Sequence, residues 1–279
     1  MTHNRKPKTV LCLQSNAGFG RCSTAMIQPT LAVLGCQPVM LPTVTLSTHL
    51  GGLGTPARLD STDFSLQALE HYARLGVRFD CIFSGFLGNA QQAKLVQRAF
   101  ALWPQAYKIV DPAMADHGRL YSGITPQLFD AMRQLCCAAD LILPNYTEAH
   151  LLLDRPLADP DAPVSAADAL VLADALTALA PAVLVTGLPM GQDVGCCGSG
   201  SGMEHFVQCQ PLLTRSYHGT GDLFAAVLAG TLLQGSALAH AAQQAAAFVA
   251  DAIRNTPADE DERLGVWFEP LLGQLAAQP

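Results

Sequence analysis

Residues 9–35 read TVLCLQ (Thr9–Gln14), SNAGFGRC (Ser15–Cys22) and STAMIQPTLAVLG (Ser23–Gly35). The first piece is a run of β-branched and aliphatic residues, and the second is rich in glycine. The third carries apolar residues at helical spacing, with Ser23 placed as an N-cap and Gly35 as a C-cap. The chain therefore opens as strand, glycine turn and helix. The same alternation continues outward from there. Strands are expected near Val39–Leu41, Cys81–Ser84, Tyr107–Val110, Leu141–Leu143 and Val183–Thr186. Between them fall helices near Leu66–Leu75 and Ala90–Trp103, from Thr125-Pro126 to about Cys137, and from Ser165 to about Leu179. Short strands separated by helices of ten or more residues imply an α/β fold with a mostly parallel central sheet covered on both faces. After Gly187 the pattern changes: Val194–Cys197 and His205–Cys209 flank a GSGSGM turn, as an antiparallel hairpin would. Two Ala/Leu-rich helices follow, near Asp222–Leu233 and Ala237–Ile253, then an acidic loop (Pro257–Glu262) and a short terminal helix.

The chain has 279 residues, half of them apolar and only 14% charged. So apolar a sequence has ample surface to bury, which excludes disorder. Its length suits one large α/β domain, and residues 1–279 contain no linker or internal repeat, so a single domain is expected. Val44–Arg58 reads as an irregular flap, Gly198–Gly202 as a hairpin turn, and Asp154–Ser165 as a surface loop. A net charge of −7 and only four lysines argue against a phosphate-backbone binder. No apolar run is long enough to span a bilayer, and MTHNRKPK leads into a strand with no small-residue cleavage site. A soluble cytoplasmic protein is expected. Nine irregularly spaced cysteines, including Cys12, Cys36, Cys81, Cys136 and Cys137 in apolar context, read as small buried hydrophobes in a reducing compartment.

In an open parallel sheet, ligands bind beyond the carboxyl ends of the strands, so chemistry is sought just after each strand. His218-Gly219-Thr220-Gly221-Asp222, followed by LFAAVLAG, is the most informative segment. Small residues before an apolar helix leave the first N–H groups free, and with the helix dipole these form an anion site. Asp222 in the first turn is placed to deprotonate a hydroxyl that attacks a phosphoryl group. Alternatively, the segment is a glycine turn whose aspartate merely complements the dipole. Asp111-Pro112-Ala113-Met114-Ala115-Asp116 and Asn145-Tyr146-Thr147-Glu148 begin at adjacent strand ends, and hard oxygen ligands of this kind suit Mg²⁺. Singly, Asp111 is equally a turn residue and Glu148 a capping or first-turn residue. Thr186-Gly187 could touch a nucleotide phosphate or simply end a strand. Gly18-Phe19-Gly20-Arg21-Cys22-Ser23 departs from GxGxxG and no P-loop is present, so a dinucleotide site is not expected. Gly18 and Gly20 are either a tight turn or the close lining of a small substrate. His49 lies in a polar, glycine-rich stretch, on the surface or on a substrate-facing flap.

Gly219-Thr220-Gly221-Asp222, with Asp111-Pro112-Ala113-Met114 and Asn145-Tyr146-Thr147-Glu148, resembles the ribokinase superfamily, and specifically its pyridoxal/pyridoxine/pyridoxamine kinase family. Ser15 with Gly18–Ser23, Pro42–His49 and Ser84-Gly85-Phe86-Leu87-Gly88 are similar to segments of that branch. The resemblance implies a three-layer α/β/α sandwich with an antiparallel hairpin at one edge. It further implies that ATP phosphorylates the 5′-hydroxyl of a B6 vitamer. Asp222 would be the base, with Gly219, Thr220 and Gly221 forming the anion hole. Glu148 and Asp111 would organise Mg²⁺, and a monovalent cation such as K⁺ is often required. Thr186, Gly187, Asn145, Asp111 and Tyr121 would bind the nucleotide, Tyr121 from a loop over the phosphates. Ser15, Gly20, Thr43 and His49 would line the vitamer pocket. Family members are often homodimers. A cysteine that some members carry in the loop after Asp-Pro is missing from Ala113–Tyr121. Hydroxymethylpyrimidine is the alternative substrate, and a non-catalytic nucleotide-binding regulator is a third reading. Retention of both Asp222 and Glu148 argues against the regulator, and Thr43–Gly52 reads closer to the B6 pattern than to the pyrimidine one.

Overall fold

The alternation of strands and helices read along the N-terminal two thirds is present in a computed structural model that describes residues 6–276. In chain order these are β1 (Lys8–Phe19), α1 (Thr24–Val33), β2 (Cys36–Thr48), β3 (Arg58–Asp60), α2 (Thr62–Arg74), β4 (Cys81–Ser84) and α3 (Ala90–Leu102). Then come β5 (Tyr107–Val110), β6 (Ala115–Asp116), β7 (Arg119–Leu120), α4 (Pro126–Cys137), β8 (Leu141–Ile142), α5 (Tyr146–Leu152) and α6 (Ala166–Leu176). The last third holds β9 (Ala182–Met190), β10 (Asp193–Gly200), β11 (Phe206–Pro211), α7 (Thr220–Leu233) and α8 (Leu238–Asn255), followed by two 3-10 turns at Glu262–Leu264 and Glu269–Gln274.

Nine strands form one sheet in the order β11-β10-β9-β8-β5-β4-β1-β2-β3. Pairing is parallel from β2 through β1, β4, β5 and β8 to β9, and antiparallel at both margins. Alternate residues of the inner strands feed separate cores. Leu11 and Leu13 pack with α2, α3, α4 and α6 on one face, while Val10 and Cys12 pack with α1, α7 and α8 on the other. That division makes the three-layer α/β/α sandwich. Helix α7 is apolar nearly all round and buries eight residues, because it lies between the sheet and its helical neighbours. At Gly230 a side chain would run into Leu34, so the glycine permits the close approach of α7 to the end of α1.

Several elements depart from the expected pattern. Strand β1 does not stop at Gln14 but continues through the glycine-containing segment to Phe19, because β2 extends to Thr48 and supplies backbone partners past a register shift between Gln14 and Asn16. Val44–Arg58 is consequently not an irregular flap throughout. Its ends are paired antiparallel, Val44 with Asp60 and Leu46 with Arg58, leaving only 49–57 as loop. Gly198 and Gly200 belong to β10 rather than to a turn. Ser23 does hold the N-cap position of α1, its carbonyl accepting the Ile27 N–H at 2.9 Å, but at φ 46° its side chain makes no capping bond. Cys137 is exposed.

Candidate active site

The free N–H groups at the start of α7 set the geometry. Gly219 has φ 81°, a left-handed conformation that glycine tolerates, and a Cβ there would collide with the Arg21 carbonyl and the Met26 sulfur. Leu223 is the first residue of this turn whose N–H is bonded along the helix, to Gly219 O at 2.9 Å. Among the described residues the N–H groups of Thr220, Gly221 and Asp222 have no acceptor. They point outward at the positive end of the helix dipole. The space over Gly221 is open, with no atom within 4 Å of where a Cβ would stand. The Thr220 hydroxyl donates to the Tyr217 carbonyl at 3.2 Å, which ties the loop ahead of the helix.

Asp222 faces the glycine-containing turn after β1. Its Oδ2 accepts the Ser23 N–H at 2.8 Å and the Cys22 thiol at 3.2 Å. Its Oδ1 has the Ser23 hydroxyl at 3.5 Å. Ser15 Oγ in turn donates to Ser23 Oγ at 2.9 Å, so one predicted pocket residue is linked to the predicted base through Ser23, which the sequence offered only as an N-cap and the end of the Gly18–Ser23 segment. Burial raises the Asp222 carboxyl above the ordinary carboxylate range, and the bonds from Ser23 and Cys22 oppose that rise.

Glu148 is 1% exposed and closes a capping box with Asn145 at the start of α5. Its Oε1 accepts the Met114 N–H at 2.7 Å and the Ala115 N–H at 3.2 Å, and its Oε2 accepts the Asn145 N–H at 3.0 Å. The Asn145 amide donates to Ala115 O at 2.6 Å. These bonds clamp the segment after β5 onto α5, and the β6–β7 hairpin follows, held by the Gly118 N–H on the Thr147 hydroxyl at 3.0 Å. Burial lifts the Glu148 carboxyl to about 7 despite its three backbone donors. Asp111 is likewise raised, by burial first and then by the charges of Glu148 and Asp222. Partial burial and the nearby carboxylates of Glu148, Asp116, Asp111 and Asp222 raise the Tyr121 phenol, whose backbone is anchored to Met114 O at 2.9 Å. No described Lys or Arg forms an ion pair with Asp111, Glu148 or Asp222. Carboxylates without a cationic side-chain partner are the hard-oxygen type that suits a divalent cation. Among the described residues no three His, Cys, Asp or Glu side chains gather into a group that could hold a metal ion by themselves.

The raised Glu148 carboxyl has a measurable consequence. A carboxyl whose pKa is higher in the fold than in the unfolded chain supports folding below its unfolded value and loses that support as pH rises through the folded value. In chelator, thermal stability is therefore expected to decline between about pH 5 and pH 8. Glu148→Gln should flatten that decline, while lowering the melting temperature at pH 5 because an amide donor faces backbone N–H groups. Parallel wild-type and variant melting profiles across this range would contradict the assignment.

The remaining predicted residues divide. Parallel pairing of β9 ends at a bridge between Asn145 and Thr186, and the strand itself runs on to Met190 to meet β10, so Thr186-Gly187 marks a change of partner rather than a strand end. Gly187 has φ 65° and open space beside it. Thr43 is fully buried, and its hydroxyl donates to the Phe86 carbonyl at 3.2 Å; it braces the Ser84–Gly88 loop instead of presenting a free hydroxyl. His49 is 5% exposed and uses both ring nitrogens: Nδ1 accepts the Gly51 N–H at 3.0 Å, and Nε2–H therefore donates to Arg263 O at 2.6 Å. It is a strut between the 49–57 loop and the C-terminal segment, with its ring 4.9 Å from that of His218. Gly20, at φ 91°, leaves room for that imidazole, since a Cβ would stand 2.7 Å from its Cδ2. Sequence reasoning placed Arg21, Cys22 and Ser23 in the glycine-containing turn and His218 ahead of α7 but gave none of them a site role of its own; Arg21 reaches Glu260 and Glu269.

The profile of the phosphomethylpyrimidine kinase family matches residues 34–266. A pyridoxine/pyridoxal/pyridoxamine kinase of Bordetella avium is 32% identical over 276 residues, covering 95% of this chain and 91% of the relative. The crystal structure of pyridoxal kinase from Lactobacillus plantarum superposes with a TM-score of 0.89 at 30% identity, covering 97% of each chain. A Bacteroides thetaiotaomicron protein provisionally designated a phosphomethylpyrimidine kinase, in a crystal form with pyridoxal, gives 0.90 at 30% identity over 97% of this chain and 96% of that one.

Proposed function

Since the chain belongs to the phosphomethylpyrimidine kinase family and within it to the pyridoxal kinases, we propose that it transfers the γ-phosphoryl group of ATP to the 5′-hydroxyl of a vitamin B6 vitamer. The observation that carries the chemistry is Asp222: a carboxylate anchored by the turn after β1, on the same first helical turn as the unpaired N–H groups of Thr220, Gly221 and Asp222. In this reading Asp222 takes the proton of the hydroxyl as its oxygen attacks the γ-phosphorus, and the bond to the bridging oxygen breaks to release ADP. The N–H groups of Thr220, Gly221 and Asp222 receive the charge that develops on the transferring group, with Gly219 giving them their orientation. Thr186, Gly187 and Asn145, brought together where β9 changes partner, face the nucleotide, and Tyr121 extends over it from the loop after β7.

Asp111 and, through water, Glu148 would hold Mg²⁺, which supplies positive charge to the phosphates when bound. A monovalent cation such as K⁺ belongs to the same acidic region. Ser15 contributes to the vitamer pocket together with the Gly20 turn, while Thr43 and His49 shape its walls from behind. We read the active form as a cytoplasmic homodimer. Leu59 and Phe64, exposed near the β3 margin, support self-association; separately, no described helix is long and apolar enough to cross a membrane.

The test is ATP-dependent turnover of pyridoxal, pyridoxine, pyridoxamine and hydroxymethylpyrimidine measured side by side. At least one vitamer should be used with kcat/KM about ten-fold or more above the pyrimidine, an order-of-magnitude margin typical of one lost polar contact. A pyrimidine turned over faster than every vitamer overturns the substrate assignment, and no turnover of any acceptor overturns the kinase reading.

A further inference from the structure

Cys22 has no part in the roles assigned so far, yet its thiol touches the base. The two oxygens of Asp222 are not equivalent. Oδ2 accepts both the Ser23 N–H at 2.8 Å and the Cys22 thiol at 3.2 Å, whereas Oδ1 has only the Ser23 hydroxyl at 3.5 Å, beyond good hydrogen-bonding distance. The turn that presents these donors is held under constraint. Ser23 stands at φ 46° and ψ −117°, a conformation that side-chain-bearing residues rarely adopt. It is kept there by its flanks: the Arg21 N–H bonds Leu264 O at 2.8 Å, and the Arg21 guanidinium binds Glu269 at 2.8 Å. Such strain persists only where surrounding structure enforces it, and here it aims a backbone N–H at a carboxylate oxygen.

We propose that Cys22 is a positioning residue for phosphoryl transfer: with the Ser23 N–H it fixes Oδ2 of Asp222, leaving Oδ1 as the atom that accepts the substrate proton. The inference rests on the reading of Asp222 as base. In the step, the acceptor O–H bond breaks, its proton passes to Oδ1, and the freed electron pair forms the new P–O bond. The thiol keeps its proton throughout and acts as a donor. Burial and the adjacent carboxylate raise its pKa, which agrees with that role and disfavours a thiolate nucleophile.

The test is kinetic, on the acceptor that the wild type turns over fastest, with thermal melting to establish that each variant is folded. Cys22→Ala should lower kcat about 3- to 10-fold, the scale of one weak donor to a charged group, and leave both KM values within about two-fold. Cys22→Ser, which retains a donor, should recover most of that loss, whereas Cys22→Val, of similar bulk without a donor, should not. On an Asp222→Asn background, Cys22→Ala should cost nothing further, because its effect passes through the lost base. Wild-type kcat in Cys22→Ala, a loss confined to KM, equal rates in the Ser and Val variants, or a full additional loss on Asp222→Asn would each overturn the proposal. If Cys22→Ala does not fold, the Ser and Val pair decides. A wild type that prefers a pyrimidine defeats the vitamer reading alone, whereas an active Asp222→Asn defeats the base reading and this proposal with it.

Discussion

Asp222→Asn is expected to lower kcat by on the order of 10²–10⁴ while ATP still binds, the loss typical of a removed general base. The amide is close to isosteric, and its oxygen can still accept the Ser23 N–H that holds Oδ2 at 2.8 Å. What disappears is the lone pair able to take a proton from the attacking hydroxyl. A loss of this size corresponds to about 3–5 kcal/mol of transition-state stabilisation. Binding of ATP should persist because the N–H groups offered to the phosphates are backbone groups at the start of α7. The pH dependence has a definite sign. Burial raises the Asp222 carboxyl, so the wild-type rate should fall as pH drops through a value above the usual carboxylate range. A variant retaining more than about a tenth of wild-type kcat would remove Asp222 from that role.

The second large effect is expected at Gly219. Alanine there suffers twice: φ 81° is unfavourable for any residue with a Cβ, and that Cβ would meet the Arg21 carbonyl and the Met26 sulfur. The left-handed conformation costs roughly 1–2 kcal/mol. Relief of the collision adds roughly 1–3 kcal/mol, because the Arg21 carbonyl is backbone and cannot rotate away. Arg21 also begins the turn that carries Cys22 and Ser23, so any displacement moves the donors of Asp222 together with the anion hole. Gly219→Ala should therefore lose both melting temperature and about 100-fold or more in kcat/KM, the penalty expected when reacting groups are misplaced by about 1 Å. Gly221→Ala provides the contrast in stability. Nothing lies within 4 Å of the position its Cβ would take and its backbone is helical, so its melting temperature should match the wild type or rise. Equal stability losses in the two variants would show that the constraint at Gly219 is absent.

The layered fold was legible because its determinants are local and periodic. The strands Cys81–Ser84 and Tyr107–Val110, and the N-caps of α4 at Thr125 and α6 at Ser165, fall where apolar runs and capping residues place them. Elements held by distant partners were not legible. The outer half of β1 and the segment after Thr43 have little apolar alternation, and they are strands only because they pair with each other and with β3. Helix α5 is seven residues long, too short for periodicity to reveal, although its Asn145–Glu148 spacing carries the capping-box signature. At the site, GTGD exposes Asp222 and the anion hole because a glycine-led helix start is a local signal. The contact of Cys22 with Asp222 spans 200 residues of sequence, and nothing in a cysteine between Arg21 and Ser23 distinguishes it from a small buried hydrophobe. Thr43 and His49 were identified as polar groups of one region, but sequence could not show that the Phe86 carbonyl and the Arg263 carbonyl already engage them.

Whether Asp222 and the start of α7 direct a phosphoryl group onto a primary hydroxyl can be read by phosphorus-31 NMR of the full chain with ATP, magnesium and pyridoxal. A new phosphomonoester resonance is expected, coupled to the two protons of the 5′-methylene, growing one for one with ADP and nearly absent with Asp222→Asn. Accumulation of ADP with inorganic phosphate alone, or a phosphorylated product formed equally well by Asp222→Asn, would contradict that chemistry.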